Sequence, residues 1–324
     1  ELNINNPKFE FDKPSYELLS SAKTNGVFQV ESMGMKDLLI RLQPTELSQI
    51  SAVLALYRPD SMGALEEYIE CSKHPEKVTY IHPDMEPILK ETFGCMIYQE
   101  QFMQISRTWC GFTGGKADTL RKAVGKKKIE LMNKLKPEFI SGAVKVGGAT
   151  EEIAETFWSQ LLDFANYCFN KSHAACYALI AYWTAYLKAH YPDAFMAALM
   201  TSVLDSAVKV SGYIAECKEM GIQTLPPDIN RSGDVFTVEG EHIRFGMAAV
   251  KNIGRGLIRS VVAKRTEGGP FKSLEDFLTR MGEGELNKRA VENLIKCGAM
   301  DCFGNHRSEL LAVYESMMDS LAIS

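Results

Sequence analysis

Along most of this chain the apolar residues recur with a period near 3.6, the signature of helices that bury one face and solvate the other. Such runs predict helices over residues 16–21, 35–42, 47–56, 65–70, 85–90, 99–110, 119–124, 129–146, 151–166, 172–190, 193–204 and 207–220, with more toward the carboxyl end. Period-two alternation is scarce. Residues 92–99 read as a strand running into a helix, and 235–238 with 243–246, joined by Glu239-Gly240-Glu241-His242, read as a small hairpin. Leu225-Pro226-Pro227-Asp228 stops the long helical body, because consecutive prolines cannot continue a helix. The pattern predicts a mainly α protein: a multi-helix body with short β elements over 1–230, then a small β-hairpin and a helical region over 231–324.

Composition narrows the class. With 324 residues, 46% of them hydrophobic, the chain can bury more than one core. None of the eight cysteines forms a Cys-x-x-Cys pair or has histidines at zinc-like spacing, which argues against a structural zinc site and fits a reducing compartment. The most apolar run, near residues 174–189, is interrupted by Tyr, Trp, Thr and Lys, and no basic-then-apolar leader opens the chain, so neither export nor a membrane partner is expected. The opening ELNINNPKFEFDKPSYELL lacks an initiating Met and reads as part of a longer protein.

Charge adds a second layer, because the formal net charge of −5 hides two basic islands. Residues 101–148 hold ten Lys/Arg against three Asp/Glu, and residues 243–266 hold six Lys/Arg and no acid. In the first island, ADTLRKAVGKKK (117–128) sets Arg121, Lys122, Lys126, Lys127 and Lys128 within eight residues. If Asp118 caps a helix starting at Thr119 and that helix runs on, Arg121 and Lys128 project within about 20° of each other. Like charges so placed repel unless an anion such as a row of phosphates lies against them; a solvated helix end rich in lysine is the plainer reading. Gly111-Phe112-Thr113-Gly114-Gly115-Lys116-Ala117 is one residue short of a phosphate-binding loop and carries Ala where the magnesium-binding hydroxyl belongs, so that motif is rejected.

A second stretch, Tyr167-Cys168-Phe169-Asn170-Lys171-Ser172-His173-Ala174-Ala175-Cys176-Tyr177, puts polar residues immediately before small ones on a predicted helix. A flat object such as a nucleobase pair could approach that helix closely, with Tyr167 or His173 against it. His173 as an ordinary polar residue beside a helix start, and Ser172 as an N-cap, are the alternatives.

These residues also carry a resemblance. FQVESMGMKDLLIRLQP (28–44), ALYRPD (55–60), FGCMIYQEQFMQI (93–105), GGKADTLRKAVGKKK (114–128), FANYCFNKSHAACYALIAYWTAYLKAHYP (164–192) and LPPDIN (225–230) resemble the fingers region of bacterial DNA polymerase III alpha subunits, the C-family replicative polymerases. The resemblance runs from about Pro14 almost to the end of the chain. It implies a fingers domain over 1–230 and a helix-hairpin-helix region over 231–324. It further implies that Arg121, Lys122 and Lys126–Lys128 meet the triphosphate of an incoming dNTP, and that Tyr167, Asn170, Lys171, Ser172 and His173 flank the nascent base pair. Lys122 stands where the family usually has a second Arg, exchanging a planar two-pronged contact for a point charge. Arg58-Pro59-Asp60-Ser61-Met62 departs from the usual Arg-Pro-Gly-Pro-Leu.

The implied partners are primer-template DNA, the dNTP, the palm and other domains of the same polymerase, and a sliding clamp and other replisome subunits through segments outside this chain, in the bacterial cytoplasm. The chemistry would be two-metal phosphoryl transfer with Mg2+. The chain contains no Asp-x-Asp pair, and in the family the metal-binding aspartates lie in the palm, so no catalytic residue or metal ligand is assigned and the isolated chain is expected to be inactive. The second island contributes Lys251-Asn252-Ile253-Gly254-Arg255-Gly256, a glycine-bearing turn before a helix, which could aim backbone N–H groups at a duplex phosphate. A glycine cap between two packed helices gives the same pattern. Cys297 and Cys302 are expected to be buried thiols rather than ligands. The competing function is a non-enzymatic nucleic-acid-binding or scaffold protein that uses both basic patches.

Overall fold

The computed structural model describes residues 2–282 and 284–323. By packing, the chain divides into two compact units, Glu1–His190 and Tyr191–Ser324. The architecture is mainly α, as the periodicity predicts. The first unit contains α1 (Lys13–Ser20), α2 (Met33–Leu42), α3 (Leu47–Leu56), α4 (Met62–Lys73), α5 (Glu86–Leu89), α6 (Gln99–Thr108), α7 (Gly114–Gly125), α8 (Ile129–Lys145), α9 (Glu151–Phe164) and α10 (Lys171–His190). Side-chain caps fix several starts: Asp12 accepts from Ser15 N, Ser32 from Met35 N and Thr150 from Ile153 N.

Two cores build this unit. In one, α10 lies on α3 and α1 through Ala174, Ala178, Ala181 and Ala185, a buried stripe of small residues at helical spacing that lets backbones approach. In the other, α6–α9 enclose the aromatic cluster of Trp109, Phe139, Phe157 and Trp158. Gly142 makes that packing possible, since a β-carbon there would lie 2.0 Å from the Cys110 carbonyl oxygen.

The second unit contains α11 (Pro192–Thr201), α12 (Ala207–Glu219), β1 (Thr224–Leu225), β2 (Thr237–Glu239), β3 (His242–Arg244), α13 (Arg255–Gly268), α14 (Leu274–Met281), α15 (Lys288–Lys296) and α16 (Arg307–Ile323). The strands form a sheet in the order β1-β3-β2, with Thr224 opposite Ile243 in the parallel pair and Val238 opposite Ile243 in the antiparallel pair. The expected hairpin is present, but its strands close nearer the turn, leaving only Gly240 and Glu241 between them; Gly240 has φ 64°. The division expected at 230/231 falls inside this unit, where Pro226 and Pro227 directly follow β1.

Residues 92–99 form no strand. Lys90–Thr92 is a 3-10 turn, Phe93 is left-handed, and the pairing reduces to one bridge between Tyr98 and Phe169. Side chains satisfy the backbone here in place of a neighbouring strand. Gln101 Oε1 accepts from Ile97 N and Tyr98 N at 2.9 and 3.0 Å, and Thr92 Oγ1 donates to Cys95 O at 2.5 Å. Among the described residues, no helix is long and apolar enough to cross a membrane. All eight cysteines are free thiols; of the two expected to be buried, Cys297 is only partly buried and Cys302 is exposed on a short 3-10 turn.

Candidate functional site

The first island is built on α7. Thr113 Oγ1 accepts from Lys116 N at 3.2 Å and caps the helix, which therefore starts at Gly114 and not after Asp118. Gly114 and Gly115 form its first turn instead of a loop. Ala117, Leu120, Ala123 and Val124 are buried and anchor one face. Asp118, freed from capping, sits mid-helix against the cations one turn on. Its Oδ1 accepts from Arg121 Nε and Nη2 at 3.0 and 2.7 Å, and its Oδ2 pairs with Lys122 Nζ at 2.9 Å. Hydrogen bonds from Lys122 and Arg121 hold the Asp118 carboxyl below its usual range. Lys116 is ion-paired with Glu138 and lies 5.5 Å from the centre of the Phe112 ring.

The helix does not run on to Lys128, so the shared face predicted for Arg121 and Lys128 does not exist. Lys127 N donates to Val124 O at 3.1 Å and Lys128 N to Ala123 O at 2.8 Å, with Lys127 left-handed at φ 55°. This is the reverse-turn closure that ordinarily takes glycine. It splays Lys126, Lys127 and Lys128 around the carboxyl end of α7, all three exposed. Among the described residues no carboxylate pairs with them.

The 167–173 stretch meets this turn. Cys168 Sγ lies 3.9 Å from Val124 O and accepts from Gln99 Nε2 at 3.7 Å, and Gln99 N donates to Phe169 O at 2.9 Å. Gly125 leaves room for the contact, since a β-carbon there would lie 2.8 Å from Gln99 Nε2. Two segments more than forty residues apart in sequence are thus joined at one place.

From Phe169 an aromatic ladder runs along the start of α10. Phe169 and His173 have centroids 5.5 Å apart, His173 and Tyr177 4.4 Å, and Tyr177 and Phe28 5.3 Å. Arg58 closes the other end: its guanidinium lies 4.9 Å over the Phe169 ring while Nη2 donates to Tyr167 O at 2.6 Å. Asn170 Oδ1 accepts from His173 N and Ser172 Oγ at 3.0 and 2.6 Å, so Asn170, rather than Ser172, caps the helix. Lys171 Nζ is held by Glu91 at 2.7 and 3.0 Å. Tyr167 is half-buried, and burial pushes its phenol up to about 12. His173, Ala175 and Cys176 are exposed, leaving a small-residue surface beside the imidazole. Arg58, Gln99, Phe169 and Tyr177 carry this geometry and were not singled out as site residues from the sequence. The aromatic spacing Phe169, His173, Tyr177 at i, i+4, i+8 is the signal that marks the ladder.

The second island lies in the other unit. Of its six cations, Arg244 is tied to Glu239 and Arg265 donates to Ile229 O and Ser232 O, which makes both structural. Lys251, Asn252, Gly254, Arg255 and Gly256 are exposed, and Ile253 is buried as their anchor. The left-handed residue of the turn is Asn252 at φ 65°, whereas Gly254 has an ordinary extended backbone and caps α13. Added β-carbons at Gly254 or Gly256 would meet nothing within 4 Å, so the amino end of α13 is open to an approaching molecule. Among the described residues no carboxylate pairs with Lys251 or Arg255. Among the described residues no group of three or more His, Cys, Asp or Glu side chains is placed to hold a metal ion.

Comparison with known proteins bears on both units. Residues 2–147 match the bacterial DNA polymerase III alpha subunit finger domain, and residues 221–310 match a helix-hairpin-helix motif family. The DNA polymerase III subunit alpha of Thermus aquaticus is 48% identical over 312 residues, covering 95% of this chain and 25% of that protein. The corresponding subunit of Aquifex aeolicus is 46% identical over 315 residues, 96% of this chain and 27% of the relative. That of Saccharopolyspora erythraea is 44% identical over 327 residues, 99% and 27% respectively. The chain spans about a quarter of the length of these relatives. With a finger-domain match followed in order by a helix-hairpin-helix match, and relatives of this identity along nearly its whole length, the chain belongs to the bacterial DNA polymerase III alpha-subunit family.

Proposed function

We propose that this chain binds the incoming deoxynucleoside triphosphate, the nascent base pair and duplex DNA during template-directed synthesis by a replicative polymerase in the bacterial cytoplasm. One observation carries the reading: the carboxyl turn of α7, with its three exposed lysines, abuts the segment that launches the aromatic ladder, through Val124, Gln99 and Cys168. Cations for phosphates and a flat π surface for a base therefore occupy one neighbourhood.

In this reading Arg121, Lys122 and Lys126–Lys128 bind and orient the triphosphate. Tyr167, Asn170, Ser172 and His173 line the base pair, while exposed Ala175 and Cys176 let it come close to α10. Lys171, held by Glu91, and Arg58, bonded to the Tyr167 carbonyl, keep the ladder in place. Residues 251–256 hold the duplex backbone through the amino end of α13, so the functional division is fingers over 1–230 and duplex binding over 231–324. Magnesium, supplied with ligands from a palm domain, would stabilise the charge of phosphoryl transfer. A sliding clamp and other replisome subunits act through other segments of the polymerase.

The test combines binding and activity. Titrating the chain with a dNTP in the presence of primer-template should show weaker binding for Lys126→Ala/Lys127→Ala/Lys128→Ala and for His173→Ala, whereas Lys116→Ala, already paired with Glu138, should change little. Equal effects at all three sites, or binding of DNA with no competition by nucleotide, would favour a scaffold that uses both islands for backbone alone. The purified chain should not extend a primer with Mg2+ and all four dNTPs.

A further inference from the structure

We propose that Asp118 is a resident counter-ion of the phosphate site: it clamps Arg121 and Lys122 when nucleotide is absent and competes with a polyphosphate for the donors it holds. The inference rests on the reading of α7 as the triphosphate-binding helix and assigns to one of its residues the task of setting affinity.

The geometry divides the five cations into two classes. Arg121 and Lys122 share a single carboxylate, both oxygens of which are in use: Oδ1 for two guanidinium N–H groups and Oδ2 for the ammonium. Lys126, Lys127 and Lys128 face solvent, with no carboxylate partner among the described residues. An arriving anion meets the open lysines first. To gain the Arg121 Nε and Nη2 edge or the Lys122 N–H that Asp118 holds, it must exchange its own oxygens for those of Asp118, and at the remaining N–H groups it still meets the charge of the neighbouring carboxylate. The net affinity from these two residues is a difference between two similar interactions. The lysines beyond the helix end gain without exchange.

The exchange is feasible because the clamp is exposed to water. The side chains of Arg121 and Asp118 are 28% and 34% exposed, and that of Lys122 is 59% exposed. Ion pairs at such exposure are weak and screened, so a multivalent anion can replace them. The carboxylate also relieves repulsion between adjacent cations through i,i+3 and i,i+4 pairs, while the buried face of Ala117, Leu120, Ala123 and Val124 keeps α7 formed with or without it. After transfer, the same carboxylate competes with the departing pyrophosphate for these donors.

The experiment is calorimetric titration of the whole chain with inorganic tripolyphosphate at low ionic strength, on wild type, Asp118→Asn, Asp118→Ala, Arg121→Ala and the Asp118→Asn/Arg121→Ala double variant, each first checked for an unchanged melting transition. With two competing ion pairs of the size typical at a surface removed, both Asp118 variants should bind about five- to tenfold more tightly. The gain should shrink as salt is raised, and should be smaller in the double variant, where one of the freed donors is gone. If Arg121→Ala weakens binding but neither Asp118 variant tightens it, the phosphate site stands and the counter-ion role is refuted. Weaker binding in both Asp118 variants would make Asp118 an orienting residue and also overturn the proposal. If wild type does not bind, or if removing Arg121 from the Asp118→Asn background leaves affinity unchanged, the phosphate-site reading of α7 fails and the proposal falls with it.

Discussion

Lys127 offers a substitution that should move stability and binding in opposite directions. It occupies the left-handed position that closes α7, at φ 55°, where its β-carbon crowds the following carbonyl. That conformation costs a non-glycine residue about 1–2 kcal/mol. Glycine removes the strain but loses about 0.5–1 kcal/mol of backbone entropy on folding. Lys127→Gly should therefore stabilise the chain by roughly 0.5–1 kcal/mol, a rise of about 1–4 °C in melting temperature for a unit of this size. It also deletes one of the three open cations, and tripolyphosphate binding should weaken about two- to fivefold. Lys127→Ala separates the effects, since it removes the charge and keeps the β-carbon: binding should fall as much as in the glycine variant while the melting temperature stays at the wild-type value or drops. The assay is a thermal melt by circular dichroism beside a calorimetric titration on the same preparations. Equal melting temperatures for the glycine and alanine variants would show that the turn stores no strain at Lys127. Unchanged binding in both would remove Lys127 from the phosphate site.

Three further outcomes are expected. Gly142→Ala drives a methyl group against the Cys110 carbonyl oxygen and should lower stability by about 3 kcal/mol, read from the urea midpoint; a loss below about 1 kcal/mol would mean that the end of α6 yields easily. Glu239 accepts hydrogen bonds from Arg244 and Arg231, and these lower its carboxyl to about 2. A folded value below the unfolded one means that its contribution is fully present above about pH 4.5 and is lost as pH falls toward 2. Glu239→Gln should accordingly melt lower than wild type at pH 7 by about 1 kcal/mol, discounted for partial exposure, with the two curves converging near pH 2; parallel curves would refute the linkage. In duplex titrations across a salt series, Lys251→Ala/Arg255→Ala should flatten the slope by up to about two phosphates' worth, at about −0.9 per phosphate. Gly254→Val, whose added β-carbon meets nothing within 4 Å, should weaken duplex binding without changing the slope or the melting temperature, and no change in either variant would leave this turn a packing element.

The helical class, most helix positions, the hairpin and the two basic islands were legible along the chain, because periodicity and charge are properties of residues close together in sequence. The chain also contained the motifs that mark the family. Tertiary structure decided which of those local possibilities survive. Residues 92–99 have the composition of a strand, but Gln101 and Thr92 satisfy the backbone polar groups a strand partner would have taken. Asp118 has the identity of a cap, but Thr113 already caps the helix, so the carboxylate turns to Arg121 and Lys122. The second island reads as six equivalent cations, yet Glu239 and two buried carbonyl oxygens take Arg244 and Arg265 and leave Lys251 and Arg255 open. Above all, nothing local places Cys168 against Val124. A residue's charge and shape are written in the chain, but the group that answers them comes from whichever segment the cores of the fold bring within a few ångströms.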